Sequence, residues 1–242
     1  MTLIVPMYHK ASAGRHGNSV EMLDAHFAFI ARNCRCVLPG EPLDERRLNV
    51  ALSFDVAYFY FYAIVFPLLR KYGLRALLAV PVSAISDATS ASASIRLQAC
   101  SQRLLDDEPH GAYCTWPELA EMAASRAISI ASHGSAHVPL DEPDVDLHAE
   151  IVVSKTTLAA RTGQTVDSVV LPYGRFNART IAYVKPHYRY VFRIGSADNL
   201  GWTGKIINRI DADEMSSPEE LFSERRLATY RLRRHWNAVR SR

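Results

Sequence analysis

No apolar run in this sequence approaches the length of a membrane span, so no segment is expected to cross a bilayer. The chain opens directly on the strand-like Leu3–Tyr8, with no basic segment leading into a long apolar core, and no signal peptide is expected. Charge of one sign is not in large excess. A formal net charge of +3 over 242 residues excludes strong electrostatic steering of nucleic acid. Cysteine is scarce. Cys34, Cys36, Cys100 and Cys114 form no C-x-x-C zinc pattern, and Cys34 and Cys36 are too close for an easy bridge. Free thiols in a reducing, cytoplasmic setting are therefore expected. There is no internal repeat, and the length suits one α/β domain of barrel size.

What the sequence does contain is three apolar runs that each stop at a chemically active group. Val50–Phe54 ends in Asp55, Ile128–Ser132 ends in His133 with His137 four residues on, and Val169–Leu171 ends in Pro172-Tyr173-Gly174. Each alone reads as a buried strand followed by a polar loop. Together they place an acid, a histidine pair and a tight turn at the C-terminal ends of strands, where barrels and open α/β sheets carry their chemistry. Further strands are predicted at Leu3–Tyr8, Ala76–Val80, Val166–Leu171, Tyr190–Ile194 and Ile206–Ile210.

The helical segments alternate with these strands, which argues for a parallel sheet. Ser19 caps a helix running to about Arg32, and Tyr58–Tyr72 is helical up to Gly73, with Pro67 expected to kink or restart it. Thr115-Trp116-Pro117-Glu118 and Ser217-Pro218-Glu219-Glu220 are capping boxes, the second opening a final helix. Leu147, Ile151 and Leu158 line a helix that stops at Gly163. Residues 83–114 read as an insertion with a short helix near Arg96–Leu105, and 217–242 as a basic C-terminal segment. From Arg225 to Arg242 there are seven arginines and no Asp or Glu, which suits either a solvated helix face or peripheral contact with an acidic membrane surface.

The order Ser-Phe-Asp55, His133-Gly-Ser-Ala-His137, Pro172-Tyr173 resembles the polysaccharide deacetylase family (carbohydrate esterase family four, the NodB-homology domain). The family pattern is Thr/Ser-Phe-Asp-Asp, His-Ser/Thr-x-x-His and Arg-x-Pro-Tyr. Pro6-Met-Tyr8-His9, Phe66–Ala76 and Thr115-Trp-Pro-Glu-Leu119 resemble its surrounding text, over about residues 3–195. The resemblance implies a distorted (β/α) barrel of seven or eight strands as a single domain over 1–242. It implies Asp55 as general base and His133 and His137 as ligands of a divalent metal, with zinc first and cobalt, nickel or manganese as alternatives. Spacing of i, i+4 puts both imidazoles on one side of a helical turn. The turn at Tyr173 can offer a backbone N–H to an oxyanion. Tyr113, Trp116 and Trp202 can stack on a sugar ring or belong to the core. Asp55→Asn is expected to remove activity and leave stability nearly unchanged.

The departures from the pattern are specific. Val56 stands where the family has its second Asp, a metal ligand, and Val170 where it has Arg. The family's late Leu-x-His, which supplies a catalytic acid, has no match, and His9 is a candidate for that role or for a structural one. Asp141 or Asp146 could complete a metal site, the metal could be held weakly or lost, or the site could be inactive. The expected function is hydrolysis of an N-acetyl or O-acetyl group from a sugar or a nucleotide- or lipid-linked sugar precursor in cytoplasmic surface-polysaccharide or lipopolysaccharide biosynthesis. The alternative is an inactive deacetylase-like protein that binds sugar or acts as a scaffold.

Overall fold

Strands that are apolar on both faces must be covered on both, and here closure into a barrel with helices outside achieves it. The computed structural model describes residues 1–101, 111–202 and 206–240. Its strands are β1 (Leu3–Ile4), β2 (Pro6–Tyr8), β3 (Arg35–Cys36), β4 (Asn49–Val50), β5 (Leu52–Phe54), β6 (Ala76–Val80), β7 (Ile128–Ser132), β8 (Ser168–Val170), β9 (Tyr190–Ile194) and β10 (Ile207–Asp211). Seven close into a barrel in the order β10-β2-β5-β6-β7-β8-β9, and β1-β4-β3 form a small side sheet. Every barrel pair is parallel, with Met7 opposite Ser53 and Ser53 opposite Leu77. The architecture is thus the α/β barrel expected, with seven strands.

Two predicted strands are each divided. Leu3–Tyr8 and Val50–Phe54 pair first in the side sheet and then in the barrel, stepping over at Val5 and Ala51. Pro6, with no N–H to give to a ladder, stands at the start of the barrel strand. Alternation then sorts the side chains. On β6, Ala76, Leu78 and Val80 face the helices, while Leu77 and Ala79 join Val5, Ala51, Ala131, Val170, Phe192 and Ile207 inside the barrel.

The helices are α1 (Val20–Asn33), α2 (Phe66–Lys71), α3 (Ala93–Ser101), α4 (Trp116–Ala124), α5 (Ser154–Thr162), α6 (Ala178–Val184) and α7 (Glu224–Arg240). Ser19 caps α1, which buries Leu23, Phe27 and Ile30. The predicted Tyr58–Tyr72 helix is observed without a break through Pro67: a π-helical turn, Phe61–Val65, runs directly into α2 with Val65 and Phe66 both helical, and the wider π turn precedes the residue that has no N–H to give. Residues 102–105 of the predicted Arg96–Leu105 helix lie outside the described residues. Ser217 does not open the last helix. The Glu220 carboxylate instead binds the Ser216 N–H and hydroxyl, and α7 starts beyond Ser223, whose carbonyl accepts from Leu227 and whose hydroxyl accepts from the Arg226 N–H.

One buried histidine ties the C-terminal segment to the barrel. His26 Nδ1 donates to the Pro218 carbonyl (2.5 Å), so its Nε2 accepts from the Tyr8 hydroxyl at 2.7 Å. Burial lowers its pKa to about 4. In the unfolded chain it takes up a proton near the ordinary value of about 6.5, so stability falls as pH drops from there to about 4. That difference corresponds to about 3 kcal/mol. Urea unfolding at about pH 7 and about pH 4.5 should show this loss, and His26→Gln should flatten it. An equal loss in that variant would assign the acid sensitivity to other groups.

Candidate functional site

The inward positions change character at the C-terminal ends of the strands. Ser53 on β5 and Arg209 on β10 replace the apolar lining, and Asp55 and His133 follow their strands directly. Arg209 is 1% exposed, and its Nη1 lies 2.5 Å from Asp55 Oδ1 and 3.1 Å from Ser53 Oγ. Asp55 Oδ2 faces the other way, 3.8 Å from His9 Nε2 and 3.9 Å from His133 Nε2. Those separations are too long for hydrogen bonds and leave room for a bridging water or a substrate atom.

Protonation follows from the contacts. His133 Nδ1 lies 2.8 Å from the Val170 carbonyl and must donate to it, which leaves the Nε2 lone pair facing the site. His137 Nε2 lies 3.1 Å from His133 Nε2 and, in the neutral pair, supplies the proton between them. Burial lowers the His133 pKa, and the nearby Asp55 charge only partly opposes this. Burial alone would raise the Asp55 carboxyl, yet Arg209, His133 and His9 together hold it well below the usual carboxylate range. His9 moves upward. Burial works against its charged form, but the Asp213 hydrogen bond and the Asp55 charge outweigh that. Asp213 clamps His9 twice, at Nδ1 (2.6 Å) and at the backbone N–H (3.2 Å). The site therefore sets an ionised carboxylate beside an imidazole built to hold a proton and another built to stay neutral.

The histidine turn is not the helical turn that i, i+4 spacing suggests. Gly134 (φ 80°) and His137 (φ 56°) are left-handed, and the loop is braced by Glu150, whose carboxylate accepts from the N–H groups of Ser135 (2.8 Å) and Ala136 (3.0 Å). A Cβ at Gly134 would come within 2.3 Å of Glu150 Oε2, so a larger residue there would displace the carboxylate that braces the loop and would strain the left-handed backbone. Glu150 belongs to a π-helical turn, His148–Val153, that leads into α5. Tyr173, also left-handed (φ 57°) and 53% exposed, lays its ring 4.8 Å from His137.

Asp55, His133, His137 and Tyr173 thus converge at one end of the barrel. Tyr113 stacks on Tyr58 (5.3 Å), beside the turn that follows Asp55. The two tryptophans do not join them. Trp202 lies at the opposite end, against Tyr190 at the start of β9, with its Nε1 donating to the Glu41 carbonyl; it plugs the floor of the barrel. Trp116 is buried on the outer wall under the Arg161 guanidinium (4.9 Å).

Whether these residues fit a divalent metal turns on the third ligand. Two nitrogens sharing a tetrahedral zinc lie about 3.4 Å apart, which His133 and His137 nearly match. Among the described residues no carboxylate completes a three-ligand set with them, although Asp55 Oδ2 lies 3.9 Å from His133 Nε2. Asp141 pairs with Arg175 (3.0 Å), Asp146 caps the backbone at His148 and Ala149, and Asp55 Oδ1 is held by Arg209. Val56 is buried, and no group of three potential ligands occurs among the described residues. The donor set does not fit a three-ligand catalytic metal. Yet Val56 adopts φ 75°, a region that Asp and Asn tolerate and that costs a β-branched residue about 1–3 kcal/mol. An Asp at position 56 would fit this backbone with less strain than the valine.

Sequence reasoning did not identify Arg209 or Asp213. The available signal was an arginine in the middle of the apolar run Ile207-Asn-Arg-Ile210, since a fully buried arginine requires an acidic partner.

A family model described as polysaccharide deacetylase matches residues 44–191. That span holds Asp55, His133, His137 and Tyr173, whereas His9, Arg209 and Asp213 lie outside it. No curated protein matches the sequence. Among solved structures, a polysaccharide deacetylase of Bacillus cereus superposes with a TM-score of 0.72 at 18% identity, covering 91% of this chain and 68% of that one. A de-N-acetylase of Aggregatibacter actinomycetemcomitans gives 0.71 at 19% identity, covering 89% and 97%. The deacetylase PplD of Streptococcus pyogenes, solved with acetate, gives 0.70 at 20%, covering 91% and 96%. At such identities the likeness is one of fold.

Proposed function

Because this chain belongs to the polysaccharide deacetylase family, we propose that its strand-end site hydrolyses an acetyl group from an amino sugar or sugar precursor. The observation that carries this reading is the gap between Asp55 Oδ2 and His9 Nε2, an ionised acceptor and a clamped proton carrier 3.8 Å apart. Asp55 takes a proton from a water in that gap while the water oxygen bonds to the acetyl carbon. The carbonyl oxygen becomes anionic, and the Tyr173 N–H remains for it, since the Gly174 and Arg175 N–H groups already bond Leu171 and Pro172. When the carbon–nitrogen bond breaks, His9 Nε2 delivers its proton to the departing amine and acetate is left. In metal-dependent deacetylases of this family the ion polarises the carbonyl.

The reading extends to location and pathway. The free, buried thiols Cys34, Cys100 and Cys114 suit a reducing compartment, so we place the protein in the cytoplasm, acting on a nucleotide- or lipid-linked acetamido sugar of surface-polysaccharide or lipopolysaccharide assembly. A second reading has its own support. Val56 and the strong hold of Arg209 on Asp55 weaken metal and base alike, as in a deacetylase-like protein that binds saccharide without cleaving it.

Acetate release from acetamido-sugar nucleotides and lipid-linked acetamido sugars, by wild type and Val56→Asp, separates these readings. Val56→Asp supplies a third ligand on a backbone already shaped for it. Zinc or cobalt should bind at least about tenfold tighter by titration calorimetry, about 1.4 kcal/mol. Acetate release by the wild type supports hydrolysis. Release confined to Val56→Asp favours the non-hydrolytic reading, and equal metal binding by both proteins would show that residue 56 does not face the histidines.

A further inference from the structure

The last helix presents two different faces. Towards the barrel, Tyr230 is buried, Arg234 pairs with the buried Asp198 (3.0 Å), and Asn237 donates to the Gly195 carbonyl (2.9 Å). The outward face carries an apolar stripe of Ala228, Leu232 and Trp236, at the four-residue spacing of neighbours on a helix surface. Leu232 is 66% exposed and Trp236 67%. Arg225, Arg231, Arg233 and His235, all exposed, flank the stripe, and Glu224 is the only acid in the helix. Arg226 is neutralised by Glu220 and Arg234 by Asp198, whereas Arg225, Arg231 and Arg233 form no ion pair with any described residue.

We propose that α7 is a docking surface for an anionic lipid bilayer. A solvated helix face has no use for an exposed tryptophan and leucine one turn apart. A nucleic-acid contact would use the arginines but not the apolar stripe between them. The combination suits the lipid–water boundary, where apolar side chains enter, indole settles at headgroup level, and long cationic side chains reach the phosphates on either side. The inner face is already committed to the barrel, so the helix lies along the membrane plane rather than inserting. Its C-terminal end is also close to the catalytic rim. The Gly195 carbonyl bound by Asn237 follows Ile194, which packs against Gly174 next to Tyr173. Docking by this face would hold the site beside the bilayer, whatever reaction the site performs.

Trp236 is itself a reporter, since Trp116 and Trp202 are buried. The test uses the full chain with vesicles of phosphatidylcholine alone or with phosphatidylglycerol added. Co-sedimentation should be at least about tenfold stronger on the anionic vesicles, should weaken with salt, and should shift the tryptophan emission to the blue. Each arginine near an anionic surface contributes about fivefold, so Arg225→Glu with Arg233→Glu should lower partition at least about tenfold. Leu232→Ser with Trp236→Ser should do the same while far-ultraviolet circular dichroism shows the fold retained, because Tyr230, Arg234 and Asn237 still hold the inner face of the helix to the barrel. Equal partition onto neutral vesicles, unchanged emission on anionic ones, or full binding by either double variant would overturn the proposal. None of these readouts depends on catalysis, so they stand apart from the outcome of the acetate-release experiment.

Discussion

Asp55→Asn should reduce acetyl hydrolysis by about 10²–10⁴-fold, the usual contribution of a general base, and should also destabilise the fold by about 3–5 kcal/mol. The second effect reverses the expectation from sequence that stability would be nearly unchanged. Arg209 is almost wholly buried, and Asp55 is its only carboxylate partner among the described residues. An amide cannot neutralise the guanidinium, so the variant leaves a charge uncompensated in the barrel. Breaking a buried pair from one side is far more damaging than replacing both members by apolar groups. Arg209→Met combined with Asp55→Asn should therefore recover most of the lost stability and none of the activity. Urea unfolding and acetate release on the two variants check this. Full activity in Asp55→Asn would remove the carboxylate from the mechanism, and unchanged stability would mean that the pair is not buried in solution.

The second large effect is expected at His9. His9→Ala should cost about 10²–10⁴-fold on an N-acetyl sugar, whose amine cannot leave without a proton. On 4-nitrophenyl acetate, whose leaving group needs none, the loss should be a few-fold at most. The pH profile carries the same information with a definite sign. His9 must be protonated to act, and Asp213 raises its pKa, so activity on the amide should fall as pH rises through that raised value. Asp213→Asn removes the charge and the strong acceptor, and the falling limb should move to lower pH. Equal losses on amide and ester, or a limb that does not move, would give His9 a structural role.

Much of the site was legible in the sequence because it lies where strands end. A strand that stops at a carboxylate or an imidazole delivers that group to the rim of a parallel barrel, so Asp55, His133, His137 and Tyr173 could be placed without coordinates. The aromatics could not be placed in the same way. Trp202 and Tyr113 look alike on paper, but one plugs the floor of the barrel and the other stacks beside the Asp55 turn. Aromatic residues serve cores and binding sites equally, and only their position distinguishes the two.

The sequence by itself determined the family, the alternation that makes a parallel barrel, and the identity of residue 56, hence the absence of a carboxylate there. All of these are local: a motif, a period, a single side chain. The tertiary structure decided how the acid is held and where its proton partner comes from. Arg209 reaches Asp55 across 154 positions and Asp213 reaches His9 across 204, because closing the barrel brings β10 against β2. The periodicity of a chain carries no record of which distant charge will be buried beside which. Only closure of the barrel makes that pairing, and burial away from water makes it strong.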